Sequence, residues 1–176
     1  VLAVASHIAG FVGNVTLVTA LGEDDSHETF IRSKLHKEVQ PIFFYKKNSR
    51  TLVKRRFVDM DLLKLFEVYL MDEDELLPEE LDEKICVWLD KELSRFDVVV
   101  IPDFGHGFIT DKMIRVLEAK SKYMAVNTQV NSGNRGYHAI SRYSRADLVT
   151  LNEPELRLAT HNRHDSVEVL AEKVCK

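Results

Sequence analysis

A chain of 176 residues, with 24 Lys and Arg against 28 Asp and Glu and 45% apolar residues, carries a formal charge of −4. It is long enough to bury one good core, and no basic tract is dense enough to suggest a nucleic-acid or membrane partner. No run of about 18 apolar residues exists to cross a bilayer, and the apolar start Val1–Gly10 lacks the positive flank of a signal peptide. Cys86 and Cys175 belong to no metal or redox spacing, so both are expected as reduced structural thiols of a cytoplasmic protein.

The chain opens inside a helix-like run, Val1–Gly10, and closes inside another, Ser166–Val174, as expected of a domain cut from something longer. Val15–Thr19 is a strand, and Asp25–Lys37 a helix with Phe30, Ile31 and Leu35 on one face. Pro41–Tyr45, Thr51–Asp59 and Leu63–Val68 follow as short strands, joined by Lys46–Ser49 and a turn near Met60. Three adjacent strands predict a small antiparallel flap. Met71–Glu75 is an acidic run, expected as a solvated connection. Pro78 opens a helix to about Leu93, with Ile85, Trp88, Leu89 and Leu93 at helical spacing.

Asp97–Gly107 is the most informative stretch. Four β-branched residues, Val98–Ile101, predict a strand buried on both faces. Pro102 has no N–H for a ladder and marks the strand's end or a sheet edge. Asp103 then falls just past the strand's carboxyl end, where ligands bind in open α/β sheets. Gly105 and Gly107 allow a tight turn and a close backbone approach. Thr110 caps a helix to Ala119. Tyr123–Val126 and Leu148–Leu151 are two more buried strands, separated by a polar loop, Asn127–Gly136, and a short helix near His138–Arg142. This alternation predicts a mostly parallel sheet with helices on both faces.

The order of short motifs resembles the PfkB (ribokinase-like) carbohydrate kinases over essentially the whole chain. Leu21-Gly-Glu-Asp-Asp25 is similar to the family's Gly-x-Asp turn, and Thr51-Leu-Val-Lys-Arg-Arg56 to its Thr-x-x-Lys-x-Arg lid strand. Asp103-Phe-Gly-His-Gly107 is similar to an Asp-Tyr-x-Lys-Gly loop, and Asn152-Glu-Pro-Glu155 matches Asn-x-x-Glu. The branch that looks closest is the D-glycero-D-manno-heptose 7-phosphate kinase of ADP-heptose synthesis, often joined to a nucleotidyltransferase. His106 stands where that branch has lysine and Phe104 where it has tyrosine. Asn127-Thr128-Gln129 replaces its Asp-Pro-Lys.

The resemblance implies an incomplete three-layer, Rossmann-like α/β domain. Residues 1–176 would form the central fragment of one sugar-kinase domain, with a β lid at 41–69. It implies transfer of the γ-phosphate of ATP to a sugar hydroxyl with Mg²⁺, and a homodimer formed through the lid. No Gly-Ala-Gly-Asp motif occurs, so the catalytic aspartate is expected beyond Lys176, and the fragment alone should not catalyse transfer.

Each residue implied by the resemblance also has a plainer reading. Lys54 and Arg56, on one face of a strand, would close over the sugar or form the solvated face of an edge strand. Asp103 would bond a sugar hydroxyl or orient the donor phosphate, or it would end its strand in an Asx turn. His106 would contact an anion when protonated, or be exposed. Asn127 and Gln129 would line the phosphate side or a polar loop. Asn152 and Glu155 would lie near the phosphates, with Glu155 holding Mg²⁺ through water, or would form a capping box with Pro154 in the first turn. Asn131–Gly136 lacks the Gly-Lys-Ser/Thr ending of a P-loop, and His161 and His164 lack partners for a metal site. The rival class is a catalytically silent kinase-like module that binds a sugar or nucleotide, or acts as a scaffold. The replaced lysines favour it.

Overall fold

A computed structural model describes residues 1–70, 76–130 and 137–175. The expectations for Met71–Glu75 and for Asn131–Gly136 lie outside the described residues. The chain divides into two compact units, Val1–Leu81 and Asp82–Lys176. The described residues form six α-helices and seven strands.

The first unit begins with helix α1 (Leu2–Ile8), strand β1 (Val15–Gly22), helix α2 (Glu28–Lys34) and strand β2 (Val39–Lys46). β1 and β2 pair in parallel, from Val15 opposite Val39 to Gly22 opposite Lys46. Their core is Ala5, Ala9, Leu17 and Val39, with Leu2, Val15 and Leu35 packed around it. The expected helix Asp25–Lys37 is shorter at both ends. Asp25 bridges Arg50, His27 takes a left-handed conformation at φ 52°, and Leu35 is extended. The flap is also corrected: its first strand, Pro41–Tyr45, lies in β2 and pairs in parallel with β1. A parallel partner is reached only through a crossover, and α2, read separately, supplies it. Pro41 is tolerated because β2 forms the edge of a two-stranded sheet.

Among the described residues, only β3 (Val53–Val58) and β4 (Lys64–Leu70) form an antiparallel hairpin. Asp59 shapes its turn by accepting the Asp61 and Leu63 amides, both at 2.9 Å. Alternation divides the hairpin into two faces. Lys54 and Arg56 lie opposite Tyr69 and Glu67, while Phe57 stacks on Phe66 with ring centroids 4.5 Å apart.

The second unit holds most of helix α3 (Glu79–Glu92), then β5 (Val99–Asp103), α4 (Asp111–Lys120), β6 (Met124–Thr128), β7 (Leu148–Thr150), α5 (Glu153–Ala159) and α6 (Val167–Val174). β5, β6 and β7 form a parallel sheet in that order. Ile85, Ile101, Met113, Met124, Val126 and Leu170 are buried. Thr110 caps α4 by accepting the Met113 amide. β5 departs from expectation in two ways. It continues through Pro102 to Asp103, because Pro102 sits on the sheet's edge strand. It also buries only one face: Ile101 is 4% exposed but Val98 is 54% and Val100 43% exposed. Both cysteines are free thiols.

Two stretches that carried the family resemblance meet in the first unit. The Gly22 amide donates to Thr51 Oγ1 at 3.0 Å, and the Thr51 hydroxyl donates to the Ser26 carbonyl at 3.0 Å. A Cβ on Gly22 would lie 2.2 Å from the Ser49 carbonyl oxygen. Gly22→Ala is therefore expected to cost roughly 1–3 kcal/mol, as overpacking against backbone does. A Cβ on Gly13 meets nothing within 4 Å, so Gly13→Ala is the control. Equal denaturation midpoints for the two variants would contradict the close approach.

Candidate functional site

Asp103 ends β5 with its side chain 4% exposed. Its carboxylate is met from four directions. Oδ1 accepts the Gly105 amide at 3.2 Å and lies 3.2 Å from His138 Nε2. Oδ2 accepts Tyr143 Oη at 2.8 Å and Arg142 Nη1 at 3.2 Å. The Gly105 contact is the Asx turn allowed for in the sequence, and Gly105 (φ 66°) and Gly107 (φ 75°) take the left-handed conformations that glycine adopts without strain. Burial by itself would raise the Asp103 pKa, but hydrogen bonds from His138, Tyr143 and Gly105 outweigh it and hold the carboxyl below its ordinary value. Tyr143 moves the other way: burial first, then the Asp103 charge, push its phenol well up.

Two backbone amides build the neighbouring part of the sheet's carboxyl edge. The Gln129 amide donates to the Asp103 carbonyl at 2.9 Å. The Val130 amide donates to Glu155 Oε1 at 3.2 Å. Glu155 is 6% exposed and its Oε2 accepts the Asn152 amide at 3.0 Å, while Asn152 Oδ1 accepts the Glu155 amide at 2.9 Å. That reciprocal pair is a capping box with Pro154 in the first turn of α5. Asn127 donates through Nδ2 to the Thr150 carbonyl at 2.7 Å. Asp103, Gly105, Gln129, Asn152 and Glu155 are thus joined at one edge of one sheet, with His106 and Gly107 in the loop that leaves β5.

Lys54 and Arg56 lie in the first unit, on one face of β3. Both reach Glu67, Lys54 Nζ at 3.5 Å and Arg56 Nε at 2.7 Å, and Lys64 joins them at 3.6 Å. The Arg56 hydrogen bond is the main cause holding the Glu67 carboxyl below its usual range. The Tyr69 contact raises the Lys54 pKa.

His138, Arg142 and Tyr143 were not anticipated as site residues. They flank or lie in a short 3₁₀ turn, Ile140–Arg142, where only a short helix was expected. A signal was available: a histidine and an arginine four apart, followed by tyrosine, after a strand of a parallel sheet. His161 and His164, expected at the surface, are exposed.

A magnesium ion fits beside Glu155 only in one form. Among the described residues no group of three or more His, Cys, Asp or Glu side chains could hold a metal. Each Glu155 oxygen accepts one backbone N–H, which leaves one acceptor position apiece. That suits a metal-bound water, and magnesium keeps most of its waters.

No family model matches the chain. It is 24% identical over 152 residues to the bifunctional protein HldE of Campylobacter jejuni subsp. doylei, covering 86% of this chain and 30% of that protein. It is 25% identical over 167 residues to the protein of the same name from Shewanella loihica, covering 95% and 33%. The chain therefore spans about a third of the length of these relatives. Among solved structures, a carbohydrate kinase from Agrobacterium tumefaciens aligns with TM-score 0.60 at 16% identity, over 97% of this chain and 54% of that one. Ribokinase from Giardia lamblia aligns with TM-score 0.58 at 14% identity, over 92% and 48%. Ribokinase from Arabidopsis thaliana, solved with ribose and ATP, aligns with TM-score 0.53 at 15% identity, over 92% and 51%. The fold is ribokinase-like, and the resemblance carried by the motif order holds. No helix of the described residues is long and apolar enough to cross a membrane.

Tyr143→Phe deletes one donor to a buried carboxylate and is expected to cost roughly 1.5–3 kcal/mol, as hydrogen bonds to charged groups do. The pH dependence has a definite sign. Asp103 titrates lower folded than unfolded, so its stabilising contribution is complete above the ordinary carboxylate range and is lost as pH falls through its depressed folded value. With one donor gone the depression is smaller, so the acid-linked loss in Tyr143→Phe should shrink and finish at a less acidic pH. Denaturation midpoints measured from neutral to acid pH test this. Parallel profiles for variant and parent would refute it.

Proposed function

We propose that the protein carrying this chain is an ATP-dependent sugar or sugar-phosphate kinase, and that this chain is the central part of its kinase domain. The observation that carries the proposal is the cluster at the carboxyl edge of the β5–β6–β7 sheet. There the Asp103–Gly107 loop, Gln129 and the Asn152–Glu155 corner are linked by hydrogen bonds. Open parallel sheets bind ligands at that edge. Similarity to bifunctional HldE proteins and to solved sugar kinases supports the same reading.

Phosphoryl transfer asks a protein chiefly to position reactants and to balance charge on the phosphates. In the proposed enzyme the Phe104–Phe108 loop forms the sugar-side wall, with His106 and the backbone of Gly105 and Gly107 nearest the acceptor. Asn127, Gln129 and Asn152 line the phosphate side, and Glu155 would hold, through water, the Mg²⁺ that accompanies ATP. The acceptor proton goes to an aspartate outside this chain. Within the first unit, the β3–β4 hairpin is the proposed lid element, with Lys54 and Arg56 as its sugar-binding residues and its Phe57–Phe66 face meeting a second copy. Water exclusion by such a lid would favour transfer to sugar over hydrolysis. We assign the protein to the cytoplasm. A heptose phosphate is the acceptor if the similarity to HldE extends to chemistry, and a nucleotidyltransferase domain would then belong to the same protein.

A silent binding module is the second reading, favoured by His106 and Gln129 at the positions where the heptose-phosphate branch carries lysine. ATP consumption by the full-length protein, screened across heptose phosphates, fructose phosphates and ribose, separates the two. Turnover with one acceptor is expected, and no turnover with any would sink the kinase proposal. Glu155→Gln should then raise the magnesium requirement about tenfold or more, the usual cost of a lost outer-sphere carboxylate. An unchanged magnesium dependence, with only a lower melting temperature, would leave Glu155 as a cap and nothing else. Replacing Phe57 and Phe66 with lysine should shift the sedimentation of the protein from dimer to monomer. A sedimentation coefficient unmoved by the substitution would remove the hairpin from the interface.

A further inference from the structure

Arg142 touches both ends of the loop that follows β5. Its Nη1 donates to Asp103 Oδ2 at 3.2 Å, where the loop begins. Its Nη2 donates to the Ile109 carbonyl at 3.1 Å and to Asp111 Oδ1 at 3.0 Å, where the loop ends. A planar guanidinium can hold two partners in fixed directions, which a lysine ammonium cannot. The intervening residues, Phe104–Phe108, are therefore closed into a loop whose neck is one side chain.

His138 completes the neck and its tautomer follows from the geometry. Nδ1 lies 3.3 Å from Arg142 Nη1. Arginine has donors only, so Nδ1 accepts and the ring proton sits on Nε2. That N–H faces the Asp103 carbonyl and Oδ1, both at 3.2 Å. The Asp103 carboxylate then receives Gly105, His138, Arg142 and Tyr143. A carboxylate has about four acceptor positions, and all are taken inside the protein. A sugar hydroxyl bonding to Asp103 would have to displace a donor from a side chain 4% exposed.

We propose that Arg142 is the positioning residue of the Phe104–Phe108 loop, and that Asp103 is its buried counter-charge rather than a group that touches the ligand. The ligand, an acceptor sugar, is taken from the kinase reading above, whereas the geometry of the neck stands without it. Specificity at this wall comes from the loop's shape. The network acts at one remove, by holding that shape before the ligand arrives.

The test uses the full-length protein and reads loop and ligand separately. Backbone amide hydrogen exchange across 104–110 should quicken about tenfold in Arg142→Met, the equivalent of one charge-assisted hydrogen bond, while amides within α3 keep their rates. Arg142→Lys keeps the charge beside Asp103 but not the fork, so it should fold like the parent and still lose the loop's protection. Should Arg142→Met fail to fold, Asp111→Ala removes only the exposed acceptor of the neck and should give a smaller acceleration confined to the loop. Imidazole ¹⁵N shifts should show His138 protonated on Nε2. In turnover, the arginine variants should raise KM for the acceptor and leave KM for ATP unchanged. Parent-like loop exchange in Arg142→Lys overturns the proposal. So does an Asp103→Asn protein that loses acceptor binding while its loop exchange is unaltered, because Asp103 would then touch the ligand itself. A protein inactive with every sugar, but showing the loop pattern, refutes the kinase reading and supports the neck.

Discussion

Burial of one carboxylate organises the second unit. An ionised Asp103 withdrawn from water would cost several kcal/mol if unpaired, and a hydrogen bond from each of four donors offsets that cost. Each donor fixes a different piece of chain. Gly105 curls the loop back on its strand, Arg142 and Tyr143 bring in the 3₁₀ turn, and His138 sets the approach to that turn. Through Arg142 the same charge also reaches the N-terminus of α4 at Asp111. The carboxyl edge of the sheet has a defined shape because a charge that cannot be left alone sits beneath it.

Glu155, just after β7 and two strands from β5, does a comparable job without a cation. It is buried, but its partners are backbone amides of Asn152 and Val130 rather than a cation. Beyond the capping box, its second oxygen ties the start of α5 to Val130, two residues past β6. The capping role and the proposed magnesium role are compatible, because two amides use half of the acceptor positions of a carboxylate. What a cap fixes is where that remaining half points.

Much of this architecture was legible in the sequence, and its failures share a cause. Thr110 and Asn152 announced helices because capping is local: the residue that accepts the bond lies three positions from the amide that donates it. Val98–Ile101 announced a strand, yet their branching says nothing about whether the second face is covered, and Val100 is exposed. Pro41–Tyr45 is extended, as its residues predict, but its partner differs from expectation because its register is with Leu17–Leu21, 24 positions earlier in the chain. The Asp103 network was invisible for the same reason. Its donors at 138, 142 and 143 lie 35 to 40 residues away, and no spacing rule links a strand end to a turn that far off.

The cations of the two units differ in how tightly they are committed to their partners. Lys54 and Arg56 share Glu67 at a surface where their side chains are 41% and 57% exposed. Ion pairs made by exposed cations are individually weak, so these two can exchange one anionic partner for another. Arg142 has no such latitude. Releasing it would strand Asp103, 4% exposed, as a buried charge with one donor fewer. Both sets of residues carry positive charge, and a count of basic residues would treat them alike. Burial separates them: the exposed hairpin cations can exchange partners, whereas Arg142 is committed to Asp103 and acts only through the loop it holds.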